Sequence, residues 1–157
     1  MRRSFLFTVL LLLIGFSSPH SSDTVFAQSG GEWTTLLDGS TLDGWNVIGD
    51  GTWTLVDGAV EGDGEAGFLV TAESFSDFQL TFEFWIGEDS NSGVFIRCSD
   101  PKQIGIDTSY EVNIADTIEN PDFRSGAIVR VVGPSQTVKT AGKWNTYDIT
   151  ARGDKLT

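Results

Sequence analysis

Through three successive stretches in the middle of the chain, apolar residues recur at every second position while polar and aromatic residues fill the places between. In the first, Phe78, Leu80, Phe82, Phe84 and Ile86 fall together, leaving Gln79, Thr81, Glu83 and Trp85 opposite, which is the two-residue period of a pleated strand. The second sets Val94, Ile96 and Cys98 inward and Phe95 and Arg97 outward. The third sets Tyr110, Val112 and Ile114 inward and Glu111 and Asn113 outward. These stretches predict a sheet with two occupied sides, its core on one and any chemistry on the other.

Further strands bounded by turn residues cover most of the remaining chain. Thr52 to Val56 and Ala59 to Glu61 flank Asp57-Gly58, a pair that tolerates the positive φ angles of a two-residue hairpin, so Leu55 is expected opposite Val60. Ser90-Asn91-Ser92-Gly93 reads as the link into the strand that starts at Val94. Ala127 to Val132 is an apolar, β-branched run, and Lys143 to Ile149 alternates again. Pro121-Asp122-Phe123 suits a single helical turn. Many short strands without helices to cover a parallel sheet predict an all-β fold of two antiparallel sheets packed face to face, a sandwich or jelly roll. Arg152-Gly153-Asp154-Lys155 reads as a hairpin turn, and the strand it launches is so short that the sequence is expected to be a truncated copy of a longer protein.

The beginning of the chain changes the picture. Arg2 and Arg3 precede an apolar run from Phe5 to Phe16, and Val25-Phe26-Ala27 offers small residues where a signal peptidase inspects, so residues 1–27 are read as an export signal cleaved after Ala27. The run, at about 12 residues, is too short for a membrane span of about 20. The remaining residues, 28–157, suit one domain with its own core. Export would place the protein in the periplasm or outside the cell.

Cleavage there would remove His20, the only histidine. Schemes that pass a proton through imidazole are then excluded, as are most zinc sites. Cys98 is alone and on the apolar side, so it reads as a small core residue. The formal charge of −12 and pI near 4.2 count against nucleic acid and anionic membranes as partners, leaving neutral soluble ligands open. The repeated Asp-Gly and Gly-Asp pairs lack the alternating acidic residues and terminal Glu of a calcium loop and read as turns, so no metal or cofactor is expected.

Glu111 and Asp116 are the obvious carboxylate pair for glycosidic cleavage, which commonly uses two carboxyls about 5–10 Å apart. Five positions along a regular strand put them on opposite faces. A bulge would bring Asp116 back, because one extra residue flips the alternation; a cross-strand pair of Glu83 with Glu111 is the other arrangement left open. Arg97, Glu111, Asn113, Glu83 and Trp85 are all read onto the non-core side. That side is either a solvated face carrying an ion pair worth at most about 1 kcal/mol, or a groove where aromatic rings stack on sugars while charged and amide groups hold hydroxyls. Trp85, a large aromatic opposite a full core stripe, favours the groove.

Six segments occur in a familiar order: Leu36-Leu37-Asp38-Gly39-Ser40-Thr41-Leu42-Asp43-Gly44-Trp45, Trp53 with Asp57-Gly58, Asn91-Ser92-Gly93-Val94-Phe95-Ile96-Arg97, Tyr110-Glu111-Val112-Asn113-Ile114-Ala115-Asp116, Ser125-Gly126-Ala127-Ile128, and Lys143-Trp144-Asn145-Thr146-Tyr147. Together they resemble the 3-keto-disaccharide hydrolase domain family over about residues 32–157. The resemblance implies a concanavalin A-like jelly roll and cleavage of sugars oxidised at C3. It implies Arg97 as the binder of an oxyanion or hydroxyl, Glu111 and Asp116 as acid and base, and Asn113 as an orienting amide. Trp85, Glu83, Asn91 and Trp144 would contact the carbohydrate. The family usually has Gln where Asn113 stands and commonly Tyr where Val129 stands. A non-catalytic carbohydrate-binding module, or a structural domain of a larger exported enzyme, is the alternative to an enzyme.

Overall fold

A computed structural model describes residues 6–10, 25–29 and 31–157. Among the described residues, twelve strands run in chain order: β1 Leu6–Leu10, β2 Val25–Ser29, β3 Glu32–Leu37, β4 Trp45–Gly49, β5 Trp53–Val56, β6 Ala59–Gly62, β7 Gly67–Ser74, β8 Phe78–Trp85, β9 Asn91–Cys98, β10 Tyr110–Ala115, β11 Trp144–Arg152 and β12 Lys155–Leu156. Two five-stranded antiparallel sheets form, ordered β10-β9-β1-β7-β4 and β12-β11-β8-β2-β3, and β5 and β6 make a separate hairpin. The fold is an all-β sandwich.

One core lies between the sheets. Phe78, Leu80, Phe82 and Phe84 of β8 and Ile149 and Ala151 of β11 meet Leu69 of β7, Val94 and Ile96 of β9 and Ile114 of β10, while Trp53 and Val60 of the hairpin join them. The alternation in β8 is complete, buried and half-buried by turns, as a strand between two layers requires. Tyr147 closes the β11 side, its ring edge-on to Phe82 at 5.8 Å and to Phe84 at 4.7 Å, the geometry that aromatic quadrupoles favour. Cys98 is fully buried, and its Sγ donates to the Asp100 carbonyl at 3.2 Å.

Turn chemistry agrees with the sequence where backbone angles demand it. Leu55 pairs with Val60 across Asp57-Gly58, whose φ angles are +51° and +87°. Arg152 pairs with Lys155 around Gly153, and Pro121–Phe123 is one 3-10 turn capped by the Asn120 side chain.

Three expectations need correction. Ala127 to Val132 is not a strand. Ile128 and Val132 exchange backbone hydrogen bonds around Arg130, whose φ is +63°, so the run folds back as a tight turn with Val131 and Val132 exposed. Its one sheet contact is a bridge from Ile128 to Val112. Tyr110, expected inward, sits at the rim of the sheet and is 43% exposed. Asn91 opens β9 rather than belonging to the link before it.

The leader read over residues 1–27 lies largely outside the described residues, and so does His20. Its described parts are strands. Leu6–Leu10 pairs with β7 on one side and β9 on the other, and Val25–Ser29 pairs with β3 and β8.

Candidate functional site

Glu111 and Asn113 project from β10 on the side away from the core. The β10–β9 register sets Glu111 opposite Phe95 and Asn113 opposite Gly93, while Val112 between them and Ile114 after them turn to the core. The Glu111 carboxyl leans diagonally over Gly93: a methyl group there would stand 2.8 Å from Oε1 and 3.0 Å from Cγ. Gly93 is thus the floor that lets this side chain lie down, a role hidden in a sequence where it reads only as a turn residue. Burial holds the Glu111 carboxyl above the ordinary glutamate range. Among the described residues, no hydrogen bond or ion pair offsets that desolvation, so the group is a proton acceptor held at raised basicity.

Asn113 is a buried joint. Its Nδ2 donates to the Phe123 carbonyl, its backbone N–H donates to Ala127 O at 2.9 Å, and its own carbonyl accepts from Gly126 N at 3.1 Å and from the Tyr147 hydroxyl at 2.8 Å. Its Oδ1 is buried and meets no donor among the described residues. Tyr147 carries no signal in the sequence beyond its place in the Lys-Trp-Asn-Thr-Tyr segment. Its phenol is pushed up to about 12 by burial, opposed in part by the Gly126 N–H. It therefore donates a hydrogen bond at any physiological pH.

Arg97 does not share this place. Its φ of +60° and the register shift between β1 and β9 mark a bulge that swings the side chain out of the alternation. The guanidinium donates to the Ser76 carbonyl, to Asp77 Oδ1 at 3.2 Å and to the Gly153 carbonyl at 2.9 Å. It ties the β7–β8 connection to the β11–β12 turn, where Asp77 is held below the usual aspartate range by the Gly153 N–H and by Arg97. The expectation that Arg97 and Glu111 line one hollow is corrected by these partners.

Asp116 is likewise a structural anchor. Its oxygens accept from Thr140 N at 2.7 Å, Ala141 N at 2.8 Å, Thr140 Oγ1 at 2.6 Å and Ser125 Oγ at 3.0 Å. Burial is the largest single influence and opposes ionisation, but the combined hydrogen bonds from Thr140, Ala141 and Ser125 outweigh it and keep the carboxyl below the usual range. Its lone pairs are occupied by the loop it holds.

Glu83, Trp85 and Trp144 lie on the reverse of the molecule. Trp85 pairs with Trp144 and Glu83 with Thr146 across β8 and β11, and these positions alternate with the core residues of the second sheet. A single groove joining Trp85 or Glu83 to Glu111 is ruled out by the sandwich, whose whole thickness separates the two outer faces. Asn91, opposite Ala115 on the Glu111 side, is exposed at the end of β9. Among the described residues, no group of three or more His, Cys, Asp or Glu could hold a metal ion.

Residues 32–157 match the family model described as the 3-keto-alpha-glucoside-1,2-lyase-like domain. The chain belongs to that family. A curated relative, the 3-keto-disaccharide hydrolase of Bacteroides thetaiotaomicron, is 26% identical over 149 residues, covering 74% of this chain and 51% of its own length. The chain thus spans about half of the curated relative it matches. No solved structure matches it. The lyase-like domain here retains the carboxylate of its Tyr-Glu strand in a desolvated position and commits its Asn-Ser-Gly strand arginine to the frame.

Proposed function

We propose that the protein is an exported carbohydrate-active hydrolase that cleaves 3-keto-glycosides, with Glu111 as the base. Family membership and the relative's name support the substrate class. The observation that carries the assignment is the Glu111 carboxyl, half-buried over Gly93, without a partner among the described residues and raised in basicity. A ketone at C3 acidifies the hydrogen on C2. Glu111 takes that proton, the electron pair forms the enolate, and its collapse expels the anomeric oxygen, which leaves with the proton returned from Glu111. Addition of water across the resulting double bond completes a net hydrolysis. Asn113 is buried beside Glu111 and holds the strand that carries it, through its Nδ2 on the Phe123 carbonyl.

The test is release of a coloured aglycone from a 3-keto-glucoside but not from the parent glucoside. Glu111→Gln should abolish release while retaining ligand; a variant that still turns over removes Glu111 from the chemistry. The in-register pair of Trp85 and Trp144, the latter 41% exposed, favours a second reading, carbohydrate binding without turnover on the opposite face. Wild-type protein that binds glycans, never releases aglycone and loses binding on Trp144→Ala would establish it. Export is tested by the mass of the secreted product, expected to begin at Gln28.

A further inference from the structure

A glycine inside a strand weakens it, having no side chain to pack and more freedom to lose on folding, so its presence there calls for a local reason. Gly93 is buried within β9, in register with Asn113, and its φ lies outside the left-handed region. No backbone angle demands glycine. At Gly67 of β7 the reason is a close approach of two chains, because a methyl group there would stand 3.0 Å from Gly51 N and 3.2 Å from the Ile48 carbonyl oxygen. At Gly93 the nearest atoms belong instead to a side chain. Glu111 Oε1 and Cγ come first, at 2.8 and 3.0 Å, and the Val112 carbonyl oxygen follows at 3.2 Å. A methyl group and the carboxyl cannot both keep those places.

The neighbouring rung explains why the carboxyl uses this space. Directly across from Glu111 stands Phe95, buried and edge-on to Phe68 at 5.5 Å, so an aromatic ring already fills that position. The diagonal neighbour is the next place within reach, and at Gly93 no side chain stands in it. Lying there takes the carboxyl out of water and sets it over backbone, the desolvation that holds it above the ordinary glutamate range.

We infer that Gly93 is the positioning residue of this site: by having no side chain it keeps the Glu111 carboxyl down against the sheet, and a larger residue at 93 would lift that carboxyl into water. The consequence for turnover rests on Glu111 being the base. A lifted carboxylate is better hydrated, so its pKa returns toward the ordinary range and it becomes a weaker base, displaced from its present position.

Gly93→Ala tests this. The Glu111 carboxyl is titrated by NMR on protein carrying isotope-labelled glutamate, its signal being the one that Glu111→Gln removes. In Gly93→Ala the midpoint should move down toward the ordinary glutamate range. Gly105→Ala, where a methyl group meets nothing within 4 Å, should leave it where the parent has it. On a 3-keto-glucoside with a coloured aglycone, kcat should fall roughly tenfold or more with KM within about twofold, and the acid limb of the pH–rate profile should shift down in step with the NMR midpoint. A Glu111 midpoint that Gly93→Ala leaves unchanged overturns the inference. Should Gly93→Ala fail to fold, the same substitution combined with Glu111→Ala, which empties the space, should fold. A double variant that also fails places the cause in the Val112 carbonyl and overturns the inference. A midpoint that moves while the pH–rate profile stays, or a parent that never releases aglycone, refutes Glu111 as the base and leaves the role of Gly93 standing.

Discussion

Replacing Asp116 by alanine separates a structural carboxylate from a catalytic one. The two hydroxyls that now donate to it have alternatives, because Ser125 Oγ and Thr140 Oγ1 lie 2.9 Å apart and Ser125 Oγ also accepts from Ala115 N at 2.9 Å. The amides of Thr140 and Ala141 have none so near, and both residues are buried. Leaving two amides unpaired costs about 1–2 kcal/mol each, so Asp116→Ala should lower the unfolding free energy by about 2–4 kcal/mol, and Asp116→Asn, which keeps one acceptor, by less. Urea denaturation at neutral pH measures the difference. The sign with pH follows from linkage. The folded carboxyl titrates below its unfolded value, so its contribution is fully present above the ordinary aspartate range and is lost as pH falls through the lower folded value. The parent should lose stability over that acid window more steeply than the alanine variant. A variant within about 0.5 kcal/mol of the parent would refute the anchoring argument, because the lost amide partners alone exceed that. So would an Asp116→Asn protein of unchanged stability that no longer turns over substrate.

Glu111 should behave in the opposite sense. Its folded pKa is raised, so the native state holds the proton more tightly and stability falls as pH rises from the ordinary glutamate range to the raised value. Glu111→Gln should therefore be more stable than the parent at neutral pH and equal to it at acid pH, read by paired thermal melts; catalytic turnover should rise with pH through the same raised value. Arg97→Met should lower the urea midpoint, through loss of three acceptor contacts, while leaving the KM for a keto-glycoside near the parent value; a large rise in KM would return Arg97 to the binding site. Phe82→Ala, at the centre of the core, should cost about 3–5 kcal/mol by urea denaturation. Tyr147→Phe should cost about 1 kcal/mol, since the Asn113 carbonyl keeps its bond from Gly126.

The core was legible because β8 buries every second residue without exception, and a period of two is visible in any single strand. The hairpins at Asp57-Gly58 and Gly153 were legible because their residues tolerate the angles those turns need. The assignment of faces failed for a reason the pattern cannot carry. Alternation says which residues share a side of one strand, but β8 and β10 lie in different sheets, so Trp85 and Glu111 both point away from the core and away from each other. Arg97 was misplaced because a bulge breaks the period at one residue, and a non-glycine at positive φ leaves no mark in the sequence. The run at 127–132 has strand composition, but beside β10 it makes a single bridge before the left-handed Arg130 folds it back. Gly93 was legible only as a glycine; its use appears once Glu111 is seen to lie across it.

The sulfur at the end of β9 offers a clock for that strand. Cys98 has no exposed surface, and burial pushes its thiol up, so a modifying reagent in the surrounding medium finds neither access nor thiolate while the sheet is closed. Alkylation must wait for β9 to part from its neighbours, and its pace at neutral pH becomes a record of how often that happens. The same shielding would keep a lone thiol from linking one molecule to the next in an oxidising medium, for as long as the strand beside it stays in place.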